Sequence, residues 1–240
     1  MKKKIRTPFF EVGVKNYLYG DSVLELAKAA DAAAAKYDID VLFLSPYTEI
    51  RRVAENTEHL IVFAPYMDTL RPGRGIADVL PEAVKAAGAS GVVLNHCERP
   101  MTLISIRETI KRADELELLT FVCADTIEEA KALAQFHPDI INPEPSELIG
   151  SGKVSNLEFI YQSTHAVKTV YPDILVEQAA GISCGEHVYR TIYAGAEGVG
   201  AASGVCTALN PCAMVDEMIC NVRKAFDDIQ AESQTVRRVL

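Results

Sequence analysis

The 240-residue sequence has no apolar stretch near the ~20 residues that a membrane-spanning helix needs. Lys2–Arg6 is basic, but Thr7–Val14 behind it is interrupted by Pro8 and Glu11 and makes no signal-peptide core. Cysteines number six (Cys97, Cys123, Cys184, Cys206, Cys212, Cys220), with no C-x-x-C pair. That excludes the usual disulfide framework and zinc spacing, and fits reduced thiols in a cytoplasmic protein. Basic residues are outnumbered, 24 against 33 acidic, for a net charge of -9. Apart from Met1–Arg6, read as a solvated terminus, no basic cluster stands out, so neither nucleic acid nor a membrane is an expected partner. Tryptophan is absent, which excludes nothing. No low-complexity linker divides the chain. One domain over residues 1–240 is expected, with an N-terminal arm (1–7) and a fraying tail (230–240).

What the sequence does have is a regular alternation. Short apolar runs predict strands at Phe9–Val14, Val41–Ser45, Leu60–Ala64, Gly91–Asn95, Leu118–Cys123, Ile140–Pro143, Ile174–Gln178 and Gly198–Ala202. Between them, amphipathic stretches predict helices at Ser22–Lys36, Leu80–Ala87, Ile104–Leu116, Ile127–Phe136, Asn156–Val170 and Glu186–Ala194, with a last helix over Asp216–Ile229. Residues 49–56 read as a poor helix, short and polar. Near-continuous apolar strands belong to a sheet buried on both faces, and their alternation with helices implies parallel strands. Eight strands point to a closed (β/α)8 barrel, a fold of about 250 residues, where five or six would favour an open doubly wound sheet.

In such a barrel the site lies at the C-terminal strand ends. Lys15 follows strand 1, Asn95-His96 strand 4, Glu144 strand 6, Gly181-Ile182-Ser183 strand 7 and Ala202-Ser203-Gly204 strand 8. Gly181 and Gly204 lack a Cβ, so backbone N–H groups there can approach an anion, and a helix starting near Cys184 aims its positive end at the same place. Tight turns that need glycine for geometry are the alternative. Asn95 and Glu98 have capping-box spacing, and an imidazole at a helix N-terminus is held neutral. Glu144 stands between Pro143 and Pro145, ahead of Ser146-Glu147-Leu148-Ile149-Gly150-Ser151-Gly152-Lys153, a composition suited to a mobile lid.

Four stretches together resemble the triosephosphate isomerase family, most closely its short archaeal type: Leu94–Arg99, Glu144–Gly152, Ala180–Glu186 and Ala201–Gly204. The resemblance spans Pro8 to Pro211. It implies a TIM barrel that isomerises a small phosphorylated sugar without metal or organic cofactor, as a homodimer or homotetramer. Glu144 would move the proton, His96 polarise the carbonyl and Lys15 hold the developing charge. Glu98 would support Lys15 or His96 from behind. Backbone at Ile149, Gly181, Ser183, Ala202, Ser203 and Gly204 would bind phosphate.

Departures from the family pattern are as specific. Gly13 stands where the family has a substrate-contacting asparagine, and Ile76 where an interface threonine reaches towards that asparagine. Pro65-Tyr66-Met67 replaces Gln-His-Val, and Pro100 follows the histidine segment, pushing its helix start towards Arg99. With Gly13 and Ile76 the substrate pocket is roomier, enough for a four-carbon ketose phosphate such as an erythrulose phosphate; drift within a three-carbon enzyme is the alternative. An idle sugar-phosphate-binding barrel and a Schiff-base aldolase using Lys15 are the competing functions. Retention of Lys15, His96 and Glu144 together speaks against the first, and Glu98 beside Lys15 against the second.

Overall fold

The computed structural model describes residues 2–150 and 154–239. Eight parallel strands close in sequence order into a barrel, β1 pairing with both β2 and β8. The strands are β1 Phe9–Gly13, β2 Asp40–Leu44, β3 Leu60–Ala64, β4 Gly91–Leu94, β5 Leu119–Ala124, β6 Ile140–Pro143, β7 Leu175–Gln178 and β8 Gly198–Ala201. Each lies within about a residue of its expected bounds.

Alternate residues face opposite sides of a strand, so each apolar run feeds two cores. Phe9, Leu42, Ile61, Phe63, Phe121 and Ile140 fill the barrel, with Ile5 and Leu175 packed against them. Phe10, Val12, Phe43, Val62, Val122 and Val199 face outwards against the helices. Burial of each such side chain contributes roughly 1.5–3 kcal/mol.

The surrounding helices are α1 Asp21–Tyr37, α2 Ile50–Glu55, α3 Pro81–Ala86, α4 Leu103–Glu115, α5 Ile127–Ala134, α6 Leu157–Val170, α7 Gly185–Tyr193, α8 Ser203–Cys206 and α9 Pro211–Val239. Several start where a side chain caps them: Thr102, Thr126 and Asn156 accept from the backbone N–H three residues on.

Three expectations need correction. Residues 50–55 do form a helix, because Ile50 and Val53, three apart, are both buried. The last helix begins at Pro211, where Asn210 accepts from Ala213 N–H and proline suits the first turn. The basic N-terminal arm is not merely solvated. Lys2 pairs with Asp114 and Asp139 at 2.7 Å each, and Arg6 with Asp38 and Asp40 at 2.8 and 2.7 Å, tying the arm to the barrel. Among the described residues no helix is long and apolar enough to cross a membrane.

Candidate active site

Five strand ends deliver the candidate residues to one cavity of about 380 Å³, within the usual range for small-molecule sites. Lys15, one residue beyond Val14, has φ 47, a left-handed conformation that is costly for a side chain with a Cβ. Its Nζ lies 3.1 Å from Glu98 Oε1. Burial alone would lower the Lys15 pKa, but the Glu98 carboxylate, with Glu144 and Glu11, holds it above the ordinary amine value.

His96 follows Asn95, which is also left-handed, at φ 58. The capping-box reading of Asn95 fails. Its Nδ2 donates to Cys123 O at 3.0 Å on β5, and its Oδ1 accepts from Met101 N–H at 2.9 Å. The helix starts only at Leu103, where Thr102 caps it by accepting from Ser105 N–H, beyond the start near Arg99 that Pro100 suggested. The helix N-terminus is therefore not what keeps His96 neutral. The backbone N–H of Glu98 donates to His96 Nδ1 at 3.1 Å, which leaves the ring proton on Nε2. Burial, then the Lys15 charge, lowers the His96 pKa, against a smaller opposing effect of Glu98.

Glu144 closes the constellation, its Oε2 3.6 Å from His96 Nε2. Its backbone N–H donates to Ala124 O at 2.8 Å, anchoring it to β5. Burial raises its pKa; Lys15 pulls it down, Glu98 adds to the rise, and a 3.4 Å bond from Asn142 Nδ2 opposes it. Beyond it, Ser146 N–H donates to Asp125 Oδ1 at 2.5 Å. Ile149 and Gly150 then come back to line the cavity. The expected lid residues Ser151, Gly152 and Lys153 lie outside the described residues.

Gly181, Ser183, Ala202 and Ser203 line the opposite wall. Ser203 and Gly204 open α8, and the first N–H groups of a helix have no partner inside it. Gly204 sits behind the lining, where a Cβ would stand 2.4 Å from Ile182 O. Its glycine packs two turns together. At the start of α7, Gly185 N–H donates to Glu217 Oε1 of α9 at 2.9 Å, so one N–H of that helix end is already satisfied within the protein.

Gly13 lines the floor. Glu11, Asn142, Tyr47, Tyr66 and Arg99, none of them assigned to the site from sequence, also line the cavity. Arg99 stacks over the Tyr66 ring, 4.0 Å from its centroid, and Tyr47 Oη donates to Tyr66 O at 3.0 Å. Tyr47 and Tyr66 follow the ends of β2 and β3, so the strand-end rule would have found them. Among the described residues no three His, Cys, Asp or Glu side chains are placed to hold a metal ion.

Taken together, a buried carboxylate faces a neutral imidazole donor with a lysine alongside, and two small-residue turns offer backbone N–H groups across the cavity. Abstraction of a proton next to a carbonyl needs these parts. The sequence profile of a family described as triosephosphate isomerase matches residues 11–206. The chain is 36% identical over 228 residues to the triosephosphate isomerase of Sulfurisphaera tokodaii, covering 93% of this chain and 99% of the relative. It is also 36% identical to those of Methanobacterium bryantii, covering 85% of this chain and 92% of the relative, and Methanocaldococcus jannaschii, covering 85% and 94%.

Proposed function

The chain belongs to the triosephosphate isomerase family, and we propose that it interconverts glyceraldehyde 3-phosphate and dihydroxyacetone phosphate through an enediolate. The observation that carries this reading is the 3.6 Å approach of Glu144 Oε2 to a His96 Nε2 that bears the ring proton. The family is itself a standing example of a carboxylate base working beside a neutral imidazole.

Glu144 takes a proton from the carbon next to the carbonyl, and the C–H electrons move into the carbonyl. The resulting oxyanion forms against the His96 Nε2–H and the Lys15 ammonium. The enediolate then takes the proton back from Glu144 on the neighbouring carbon, and protons exchange between its two oxygens through His96. Desolvation strengthens Glu144 as a base. Lys15, kept protonated by Glu98, acts as a charge and not as a Schiff-base nucleophile. The phosphate sits across the cavity on backbone at Ile149, Gly181, Ser183, Ala202 and Ser203.

A coupled assay of the purified protein on the two triose phosphates tests this, with Glu144→Gln as the control. The substitution should cost about 10²–10⁴ in kcat, the range of general-base catalysis, and stop deuterium uptake at carbon from heavy water. Full activity in Glu144→Gln would remove it as the base.

A second copy of the chain is the partner this reading implies. Ile76 is 96% exposed at the tip of the loop between β3 and α3, a position for an apolar contact between subunits. Light scattering on the intact protein and on Ile76→Asp would test it: a shift to smaller mass in the variant supports the contact.

A further inference from the structure

Two carboxyl groups that this chemistry does not use lie inside the barrel. Glu11 on β1 and Glu177 on β7 are 5% and 0% exposed. They converge on Gly200 of β8, where a Cβ would stand 2.2 Å from Glu11 Oε2 and 2.5 Å from Glu177 Oε1. The absent side chain at 200 is the space the pair fills. Among the described residues, neither Glu11 Oε1 nor either Glu177 oxygen has a hydrogen-bond partner. Burying such groups unpaired is costly, more so if they are charged, and apolar side chains would carry no such cost.

Only one of the two reaches the cavity. Glu11 lines it, and Glu177 does not. Glu11 Oε1 lies 2.9 Å from where a Cβ on Gly13 would be, so the carboxyl occupies the space that a side chain at 13 would take. Asn142 Oδ1, also buried and unpartnered, belongs to the same lining beside Glu144. Glu11 and Asn142 thus line the cavity while each keeps a buried oxygen without a partner. Burial, with the charge of Glu144, pushes Glu11 up to about 8, and burial with the charge of Glu11 raises Glu177 well above the carboxylate range. Two carboxyls this close do not both ionise, so the pair can donate as well as accept.

A three-carbon sugar phosphate has every oxygen committed, one on phosphate and two on the reacting carbons, and brings nothing for Glu11. A fourth carbon adds one hydroxyl. We infer that Glu11 binds a substrate hydroxyl beyond the two reacting carbons, with Glu177 positioning it, so that the site also isomerises four-carbon sugar phosphates. The inference rests on reading the site as an aldose–ketose isomerase, and it adds a substrate class to that reading.

The test compares kcat/KM for dihydroxyacetone phosphate and erythrulose 4-phosphate. Alongside it, calorimetry measures binding of the unreactive pair glycerol 3-phosphate and erythritol 4-phosphate. The protein should turn over both substrates and bind the four-carbon polyol more tightly. Glu11→Val should lower the four-carbon to three-carbon kcat/KM ratio by about tenfold, one hydrogen bond's worth. Glu11→Gln, which keeps a donor and an acceptor, should hold the ratio within about threefold. Glu177→Leu should lower the ratio through KM, and Glu177→Gln restore it. If Glu11→Val does not fold, Gly13→Ala, whose methyl crowds Glu11 Oε1, should lower the same ratio. Three-carbon turnover with no four-carbon turnover would overturn the inference. An unmoved ratio in Glu11→Val would do the same, leaving Glu11 holding internal water only. Absence of turnover on both sugars would sink the isomerase reading instead; the polyol affinities would still decide whether Glu11 binds a hydroxyl.

Discussion

Glu98 acts on His96 through its backbone and on Lys15 through its side chain. Its N–H donates to His96 Nδ1 at 3.1 Å, and its carboxylate stands 3.1 Å from Lys15 Nζ. One residue thereby sets the tautomer of the imidazole and the charge of the ammonium.

The two roles separate in Glu98→Gln, which keeps the N–H and loses the charge. Glu98 raises the pKa of Lys15, His96 and Glu144. Its loss should therefore move the alkaline limb of the kcat/KM profile, set by Lys15, to lower pH, and the acid limb, set by ionisation of Glu144, lower as well. The Glu98 side chain is 60% exposed, so kcat/KM at pH 7 should change by less than about fivefold, as for other solvated pairs. A limb that moves upwards would contradict this account.

Glu11 should make stability fall with rising pH. Its folded pKa, about 8, lies above the ordinary 4.5 because burial, then Glu144, disfavours the charge, with Lys15 opposing. The fold prefers the protonated form, so this contribution is complete below 4.5 and lost as pH rises through 8. Glu11→Gln should match the parent at pH 5 and exceed it at pH 9 by an amount on the order of a few kcal/mol. Urea titrations at the two pH values measure it; parallel curves would refute it.

Asn95 joins β4 to β5 and to Met101 while holding a left-handed backbone. Asn95→Ala should lose both bonds and meet the left-handed penalty, roughly 2–4 kcal/mol in all. Asn95→Gly should recover the backbone part, leaving its melting temperature between the two. Equal melting temperatures for Ala and Gly would show that the conformation carries no strain.

Asp125 roots the segment that follows Glu144, through its 2.5 Å bond from Ser146 N–H. Asp125→Ala should lower kcat/KM by roughly 3–10-fold, the value of one hydrogen bond. It should also raise the inorganic phosphate released per turnover, because a looser cover lets the enediolate expel its phosphate before reprotonation. Unchanged phosphate release would mean that this bond does not govern closure.

The barrel was legible because its strands are buried on both faces, and Val, Ile, Phe and Leu in runs of four to six say so without help. Glu144, His96 and Lys15 were legible because the polar residue after each run is a positional rule, and the same rule applied to β2 and β3 points to Tyr47 and Tyr66. Other features needed contacts. Ile50 and Val53 make a helix only because the core receives them. Asn95 looked like a cap because its partners, Cys123 O and Met101 N–H, are invisible in spacing alone. The α7 terminus looked free because Glu217 arrives from the far end of the chain. Glu11 was visible as a charge inside an apolar run and was read only as an interruption. Counting by two from Phe9 would have put it, with Gly13, inside the barrel.

Closure of β8 against β1 pairs Val12 with Ala201, which brings Lys15 and the Ala202-Ser203 turn, far apart in sequence, into one cavity. On the ribosome the lysine, the histidine and the base all emerge before that turn does. A nascent chain can thus carry Lys15, His96 and Glu144 while β1 still waits for its second neighbour. Arrest of translation between residues 144 and 201 would leave a chain that has these three side chains but not the Ala202-Ser203 turn that lines the cavity with them.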